Sequence, residues 1–279
     1  MGYYYLENTF TVKSINSIFK RNYENDYFYS GESHNFWELV YVEKGRLTVS
    51  ENEDVYELCE GQIIFHSPME FHRFWASRSE KPVFRIISFS LDCDFEHNLG
   101  SGVFSLDIDL QKQFMDVYTQ IASSIKTYGT YDEVTAKEND SPAKMMLAAK
   151  KLESFLLSVI SGSSPEQVND FSVAAGRYKD VVNYMSTNIY KALCLDDIAN
   201  GTHFSASYIK KLFSMYAGCG VMHYFTRMKI VSSLTYIRRG DSISEISEMF
   251  SFSSPNYFSA VFKREMGMLP SEYRHKDLK

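Results

Sequence analysis

Between Phe36 and Leu91 the chain is written in short blocks dense in β-branched and aromatic residues: FWELVYV, RLTVS, DVYEL, GQIIF and VFRIISFSL. Gly45, the ENED tip and Gly61 separate them, so the pattern predicts closely spaced strands of an all-β sandwich or barrel. Alternation puts His34, Phe36, Glu38, Val40 and Val42 on one face and Trp37, Leu39 and Tyr41 on the other, and both faces look covered. The period then becomes helical. Leu110, Phe114, Val117, Tyr118, Ile121 and Ile125 form one stripe over 110–126; Met145, Ala149, Leu152, Leu156 and Val159 form a second over 144–160, with heptad-like steps. Each stripe has two readings, a face packed on the strands or a dimer interface, and the pattern does not choose between them. Tyr128 to Ser141 is polar and reads as a loop, while residues 1–30, rich in Tyr and Phe with little period, read as an arm over the domain that follows.

Ser161 to Asp170, SGSSPEQVND, has the composition of a linker, which divides the chain into domains 1–160 and 172–279 joined by 161–171. Beyond it the apolar spacing is helical throughout. Tyr178, Val181, Val182, Met185 and Ile189 predict one helix, and Val221, Tyr224, Phe225, Met228 and Val231 predict a long one. Around the long helix one pattern occurs twice. Ile243, Ile246 and Phe250 open an amphipathic helix, a Ser-rich turn interrupts it, and Tyr257, Phe258, Val261 and Phe262 resume the period: a helix-turn-helix. Ser254 is placed to cap the second helix and Pro255 to occupy its first position. Ile198, Ser205, Tyr208, Ile209, Phe213 and Gly218 repeat Ile246, Ser254, Tyr257, Phe258, Phe262 and Gly267, at an offset of 48 residues before the serine and 49 from it onward. The second turn is therefore one residue longer. Ser205, Ser207, Lys210 and Lys211 in the first unit, and Ser254, Asn256, Tyr257, Ser259, Lys263 and Arg264 in the second, are the candidate DNA contacts, with Ala260 also facing outward. Two such units on one connector can address successive major grooves about 34 Å apart.

A net charge of −6 argues against a nucleic-acid binder only until it is divided. Residues 172–279 hold 14 Lys and Arg against 9 Asp and Glu, whereas residues 1–171 hold 15 against 26. A basic C-terminal part joined to an acidic N-terminal one fits a double-stranded DNA reader attached to a domain with another task. Cys59, Cys93, Cys194 and Cys219 are scattered without metal-site or disulfide spacing. No apolar run has the length of a membrane span, and the N-terminus lacks a basic region followed by an apolar stretch; the chain is expected in the cytoplasm, without membrane contact.

The run Phe252, Tyr257, Phe258, Phe262, Lys263, Arg264, Gly267, Pro270, Tyr273 and Arg274 resembles the signature of the AraC/XylS transcription regulators. Ser251 departs from the family's usual Gly, which makes a strained or reshaped turn the expectation there; Ser247 replaces a frequent Ala, and Ala260 stands where a basic residue is common. Earlier in the chain, His34, Glu38 and Gly45, then Gly61, Pro68 and His72, resemble the cupin-like barrel that these regulators carry as a sensor. The resemblance implies an α+β two-domain protein: an N-terminal cupin-like β-barrel with packed helices, then an all-α domain with two helix-turn-helix motifs. It also implies a homodimer, contact with RNA polymerase, and a small-molecule effector, sugars being the commonest.

Effector-lining candidates are His34, Glu38, Tyr41, Phe65, His72, Trp75 and Arg85. Cupin enzymes hold a metal with two His, a Glu and a further His. Here the first His would fall at Glu32, so no metal and no cofactor are expected, although a carboxylate at that place can ligate. The reading is a regulator and not an enzyme. A metal-dependent cupin enzyme with a helical interaction module is the competing class, and stoichiometric bound metal would favour it. A third reading is a DNA binder without a ligand, controlled by abundance or by a partner protein.

Overall fold

The computed structural model describes residues 9–22, 31–76, 81–94, 99, 102–128, 133–136, 141–162, 165 and 172–276. The chain divides into two compact units, Met1–Phe171 and Ser172–Lys279.

The first unit has eight strands in two antiparallel sheets, followed by a hairpin and two helices: β1 (Phe10–Asn22), β2 (Trp37–Lys44), β3 (Leu47–Glu51), β4 (Asp54–Leu58), β5 (Gln62–His66), β6 (His72–Trp75), β7 (Val83–Cys93), β8 (Val103–Ser105), α1 (Ile108–Ser124), β9 (Ile125–Tyr128), β10 (Glu133–Ala136) and α2 (Pro142–Gly162). The large sheet runs β1-β7-β2-β5-β8 and the small one β4-β3-β6. Because both faces of the large sheet are covered, its central strands read as nearly continuous apolar runs. Trp37, Leu39, Tyr41, Ile63, Phe65, Ile87 and Phe89 pack against Phe114, Val117 and Ile121 of α1 and Leu152, Phe155 and Val159 of α2. On the opposite face Val40, Val42, Ile64, Phe84 and Ile86 meet Leu47, Val49, Leu58 and Phe74 of the small sheet.

Three expectations need correction. The barrel is a two-sheet sandwich: among the described residues no ladder joins the large sheet to the small one. A two-residue turn at Gly45, held at φ 76°, sends the chain from β2 across to β3 in the other sheet instead of pairing the two strands. Of residues 1–30, read as a covering arm, 1–8 and 23–30 lie outside the described residues; Phe10–Asn22 is not merely an arm, because β1 pairs with the whole length of β7. Two register shifts along that pair blur the period-two pattern that would have announced it. The stretch from Tyr128 to Ser141, read as a loop, includes the end of β9 and all of β10, while 129–132 and 137–140 lie outside the described residues; Ile125 is the first residue of β9 rather than the last of the helix. Both helical stripes appear where the spacing puts them, and α2 continues to Gly162.

The second unit is α3 (Val173–Thr187), α4 (Leu195–Thr202), α5 (Ala206–Tyr216), α6 (Val221–Arg239), α7 (Ile243–Met249), α8 (Pro255–Met266) and α9 (Pro270–Lys276). Ser172 caps α3, its Oγ accepting the Ala175 N–H at 3.1 Å. Tyr178 of α3, Phe213 of α5 and Tyr224 of α6 meet edge to face, with centroids 5.2 and 5.3 Å apart, and centre the first half of the core. Phe252, Phe258, Phe262 and Tyr273 form the second half. At 19 residues, α6 spans about 28 Å and carries both halves.

Candidate nucleic-acid interface and buried sensor cluster

The two turn-and-helix units repeat each other in their hydrogen bonds as well as in sequence. At the first helix of each, the Cys194 N–H donates to the Asp197 carboxylate (2.8 Å), and the Ser242 N–H donates to Glu245 (3.0 Å). At the second, the Ser205 and Ser254 hydroxyls accept the Tyr208 and Tyr257 N–H groups at 3.2 and 3.1 Å. Between them His203 and Ser251 sit at φ 59° and 53°, equivalent places in the two turns. Ser251 thus adopts the positive φ that a glycine would take, and its hydroxyl donates to the Tyr190 carbonyl at 2.6 Å.

These caps fix which side of α5 and α8 is free. Ile209, Leu212 and Phe213, and Phe258, Val261 and Phe262, are buried. Ser205, Ser207, Lys210 and Lys211 are exposed on α5, and Asn256, Ala260, Lys263 and Arg264 on α8; Ser254 and Ser259 are half-buried. Tyr257 corrects the helical-period reading, which counted it with the buried stripe: it is 51 % exposed and lies on the outward face. Lys210, Lys211 and Lys263 have no ion-pair partner among the described residues, whereas the Arg264 Nε donates to Glu265 at 2.8 Å. Glu265 is itself buried and faces His223 and Arg227 of α6, so Arg264 is partly committed to the protein.

Several signature residues turn out to hold helices together. Pro270 opens α9; the Tyr273 hydroxyl accepts from Arg238 at 2.6 Å; and Arg274 donates to the Ile237 and Asp241 carbonyls at the end of α6, where backbone acceptors lack helical partners. Sequence spacing missed Lys229. This side chain lies inside the unit and its ammonium donates to the Lys191 and Phe250 carbonyls, both at 2.7 Å, tying the segment that leads into the first motif to the turn of the second. Burial lowers its pKa to about 8.

In the first unit, sheet register gathers a second constellation. Glu38 on β2 lies opposite His66 on β5 and Ser88 on β7, so the three side chains share the inter-sheet face. The Ser88 hydroxyl donates to Glu38 Oε2 at 3.1 Å. A backbone bridge between Glu32 and His72 brings the segment before β2 against β6. His72 Nε2 then lies 3.4 Å from Glu38 Oε1 and 3.9 Å from Glu32 Oε1, and His34 Nε2 lies 3.7 Å from Glu38 Oε2. The other ring nitrogens face backbone carbonyls: His34 Nδ1 is 2.9 Å from Phe36 O, and His72 Nδ1 is 3.2 Å from Glu70 O. His66 stacks on His72 with centroids 4.2 Å apart, and Glu51 and Glu70 lie beyond it.

Burial raises the Glu38 carboxyl, but His34 and His72 outweigh it and hold Glu38 ionised far below the usual range. Burial lowers His72, yet Glu38, Glu32 and Glu70 more than reverse that. His66, buried and beside His72, is pushed well down, while burial and the neighbouring Glu70 push Glu51 well up.

Of the effector candidates, His34, Glu38 and His72 come together here; the other four do not. Tyr41, Phe65 and Arg85 point to the helix-covered face: Tyr41 lies on Phe114, Phe65 on Phe104, and Arg85 pairs with Glu43 at 3.0 Å over the Tyr118 ring. Trp75 alternates with the inter-sheet Phe74 and stands beside Arg73 on the other face of β6. The period of two separates these side chains by the thickness of a sheet. His66, Glu51, Glu70 and Ser88 were missed, although pairing GQIIFH against WELVYV with the apolar residues in register would have put His66 beside Glu38.

A strand-built unit with a polar interior, followed by a doubled helix-turn-helix, defines a DNA-binding regulator with its own sensing domain. The chain matches the AraC-like ligand binding domain over residues 15–138 and a helix-turn-helix domain over residues 198–276, and it belongs to the AraC-type transcription regulators. It is 23 % identical over 262 residues to the HTH-type transcriptional activator RhaR of Pectobacterium atrosepticum, covering 88 % of this chain and 86 % of that one. To the lactose operon transcription activator of Staphylococcus xylosus it is 30 % identical over 95 residues, 34 % of each chain. Among solved structures, ToxT of Vibrio cholerae O395 aligns over 96 % of both chains at 16 % identity, with a TM-score of 0.39. No helix among the described residues is long and apolar enough to cross a membrane.

Proposed function

We propose that this regulator contacts double-stranded DNA through Ser205, Ser207, Lys210 and Lys211 of the first motif and Ser254, Asn256, Tyr257, Ser259, Lys263 and Arg264 of the second. Residues 1–160 bind a small-molecule effector between the two sheets and pair two copies of the chain; residues 172–279 form the DNA-binding domain. It acts in the cytoplasm on transcription by RNA polymerase and is not an enzyme. One observation carries the DNA reading: the same capped turn and helix occurs twice on one connector, with Lys210 and Lys211 directed outward on the first and Lys263 on the second, none with an ion-pair partner among the described residues. For the dimer, α2 is the better candidate of the two helices, since it leaves Met146 and Leu147 66 % and 52 % exposed near its start and Leu157 exposed three turns on. A sugar is one effector class to try first, given the family and the lactose operon activator among its relatives.

The test is selection of genomic fragments by the full chain, repeated across salt concentrations. Selective binding should weaken steeply with salt as phosphate contacts release counterions. Fragments recovered no better than random sequence at low salt would end the reading.

A further inference from the structure

We propose that Glu32, His34, Glu38 and His72 bind one divalent first-row transition-metal ion between the two sheets of the sensing unit. The site is the one read above as effector-binding, and the inference rests on that reading.

The spacing decides against the simplest alternative, a carboxylate paired directly with imidazolium. Charge-assisted hydrogen bonds close to about 2.7–2.9 Å. Here the contacts are 3.4, 3.7 and 3.9 Å, and His34 Nε2, Glu38 Oε1 and His72 Nε2 are buried with no hydrogen-bond partner among the described residues. Burying such groups unsatisfied is costly, so a missing partner is the natural inference. Donor atoms held about 2.1 Å from a tetrahedral ion stand about 3.4 Å from one another. One donor atom from each of the four residues lies within 4.8 Å of all the others, which fits such an ion without large rearrangement.

The second layer of contacts agrees. Both histidines lean Nδ1 on a backbone carbonyl, at 2.9 and 3.2 Å, which turns Nε2 with its lone pair toward the centre. Ser88 holds Glu38 Oε2, the oxygen that faces His34, at 3.1 Å and leaves Oε1 facing His72. Outer partners of this kind orient ligands in metal sites. Two imidazoles and two carboxylates without a thiolate suit zinc, iron, cobalt or manganese. Glu32, whose side chain is 40 % exposed, leaves a way in from solvent. The neighbouring set Glu51, His66 and Glu70 is a poorer one, because Glu70 already accepts from the Ser67 N–H at 2.7 Å and from Asn52 at 3.2 Å.

The experiment uses the full chain, stripped with a chelator and titrated separately with Co²⁺ and Zn²⁺, followed by calorimetry and by the visible absorption of Co²⁺. Saturation at one equivalent is expected, with Zn²⁺ displacing Co²⁺. Glu38→Gln and His72→Asn should weaken binding by at least about tenfold. Glu32→Gln and His34→Asn, nearer the surface, should do the same, so the test survives if the core variants fail to fold. Absence of saturable binding by the unaltered chain overturns the inference, as does wild-type affinity in the Glu32 and His34 variants. The effector reading falls by a different result: operator affinity that responds neither to metal nor to any small molecule.

Discussion

The two units spend burial in opposite ways. The sensing unit hides Glu38, Glu51, His66, His72, Arg73 and Glu153, whereas in the DNA-binding unit, among the described residues, burial of charge centres on Lys229 and on the Glu265 side chain beside Arg227. Lys210, Lys211, Lys263 and Arg264 lie exposed on its surface. Dehydrating a charged or polar group weakens a fold unless a partner compensates, so an interior like that of the sensing unit makes sense when something other than stability is being served. The DNA-binding unit has the reverse arrangement: an aromatic core holds the helices, and the polar side chains are left outside for a partner. Net charge, averaged over the chain, conceals this division.

The largest effect that could break the comparison is on stability. Phe258, fully buried between Phe252 and Phe262, should cost about 3–5 kcal/mol when replaced by Ala, enough to unfold much of a unit whose whole stability is about 5–15 kcal/mol. Tyr257→Ala, one residue away and exposed, should leave folding almost unchanged while weakening DNA binding. In the sensing unit the sign should reverse for His66→Leu. Neither nitrogen of this fully buried ring has a hydrogen-bond partner among the described residues, so an apolar replacement of similar size should stabilise by about 1–3 kcal/mol less any strain of repacking. Both tryptophans, Trp37 and Trp75, lie in the sensing unit. Their fluorescence during denaturant unfolding follows that unit, and far-ultraviolet dichroism follows both. If His66→Leu destabilises as Phe258→Ala does, the polar interior is structural and the contrast is lost.

A smaller effect sharpens the contrast inside the DNA-binding unit. Lys210 and Lys211 stand at mid-helix on α5, where side chains reach base edges; α8 offers Asn256, Ser259 and Ala260 there, and its cations come later. Lys210→Ala or Lys211→Ala should therefore relax preference at particular base pairs by about 1–3 kcal/mol. Lys263→Ala should lower affinity for all sequences alike and reduce the salt slope by about one. Selection from randomised sites with each variant checks this. A new preferred sequence for Lys263→Ala, with both α5 variants unchanged, would move base reading to the second motif.

How much of this was legible in sequence follows the same division. The DNA-binding unit was readable nearly to the residue, because helical period, serine caps and an internal repeat are local signals. Tyr257 was read two ways, as a DNA contact and as a member of the apolar stripe, because its neighbours share that period, and Lys229 escaped because its two carbonyl partners come from distant segments. The sensing unit was legible in its strands but not in its closure. Which strands pair, and hence that His66 and Ser88 flank Glu38, depends on contacts across 28 and 50 residues. Alternation placed Glu38 and Tyr41 on opposite faces of β2, so the period itself separates a pocket candidate from a core residue.

The smallest effect compares the two turns. His203 and Ser251 both hold positive φ, a conformation that costs a non-glycine residue about 1–2 kcal/mol, while glycine gives back about 0.5–1 kcal/mol in lost chain entropy. On these terms alone, glycine should help both positions by a few tenths to about 1 kcal/mol. Ser251 has an offsetting contact, its 2.6 Å hydrogen bond to the Tyr190 carbonyl, worth about 0.5–1.5 kcal/mol. His203 has no side-chain hydrogen bond among the described residues. His203→Gly should therefore raise the midpoint of unfolding, and Ser251→Gly should leave it almost unmoved, although glycine is the residue the family signature favours there. Paired denaturation curves on the two variants decide the matter. A clear gain at Ser251 would mean that the hydroxyl contact contributes little and that the turn carries unrelieved strain; a loss at His203 would mean that its ring supports the first motif through packing.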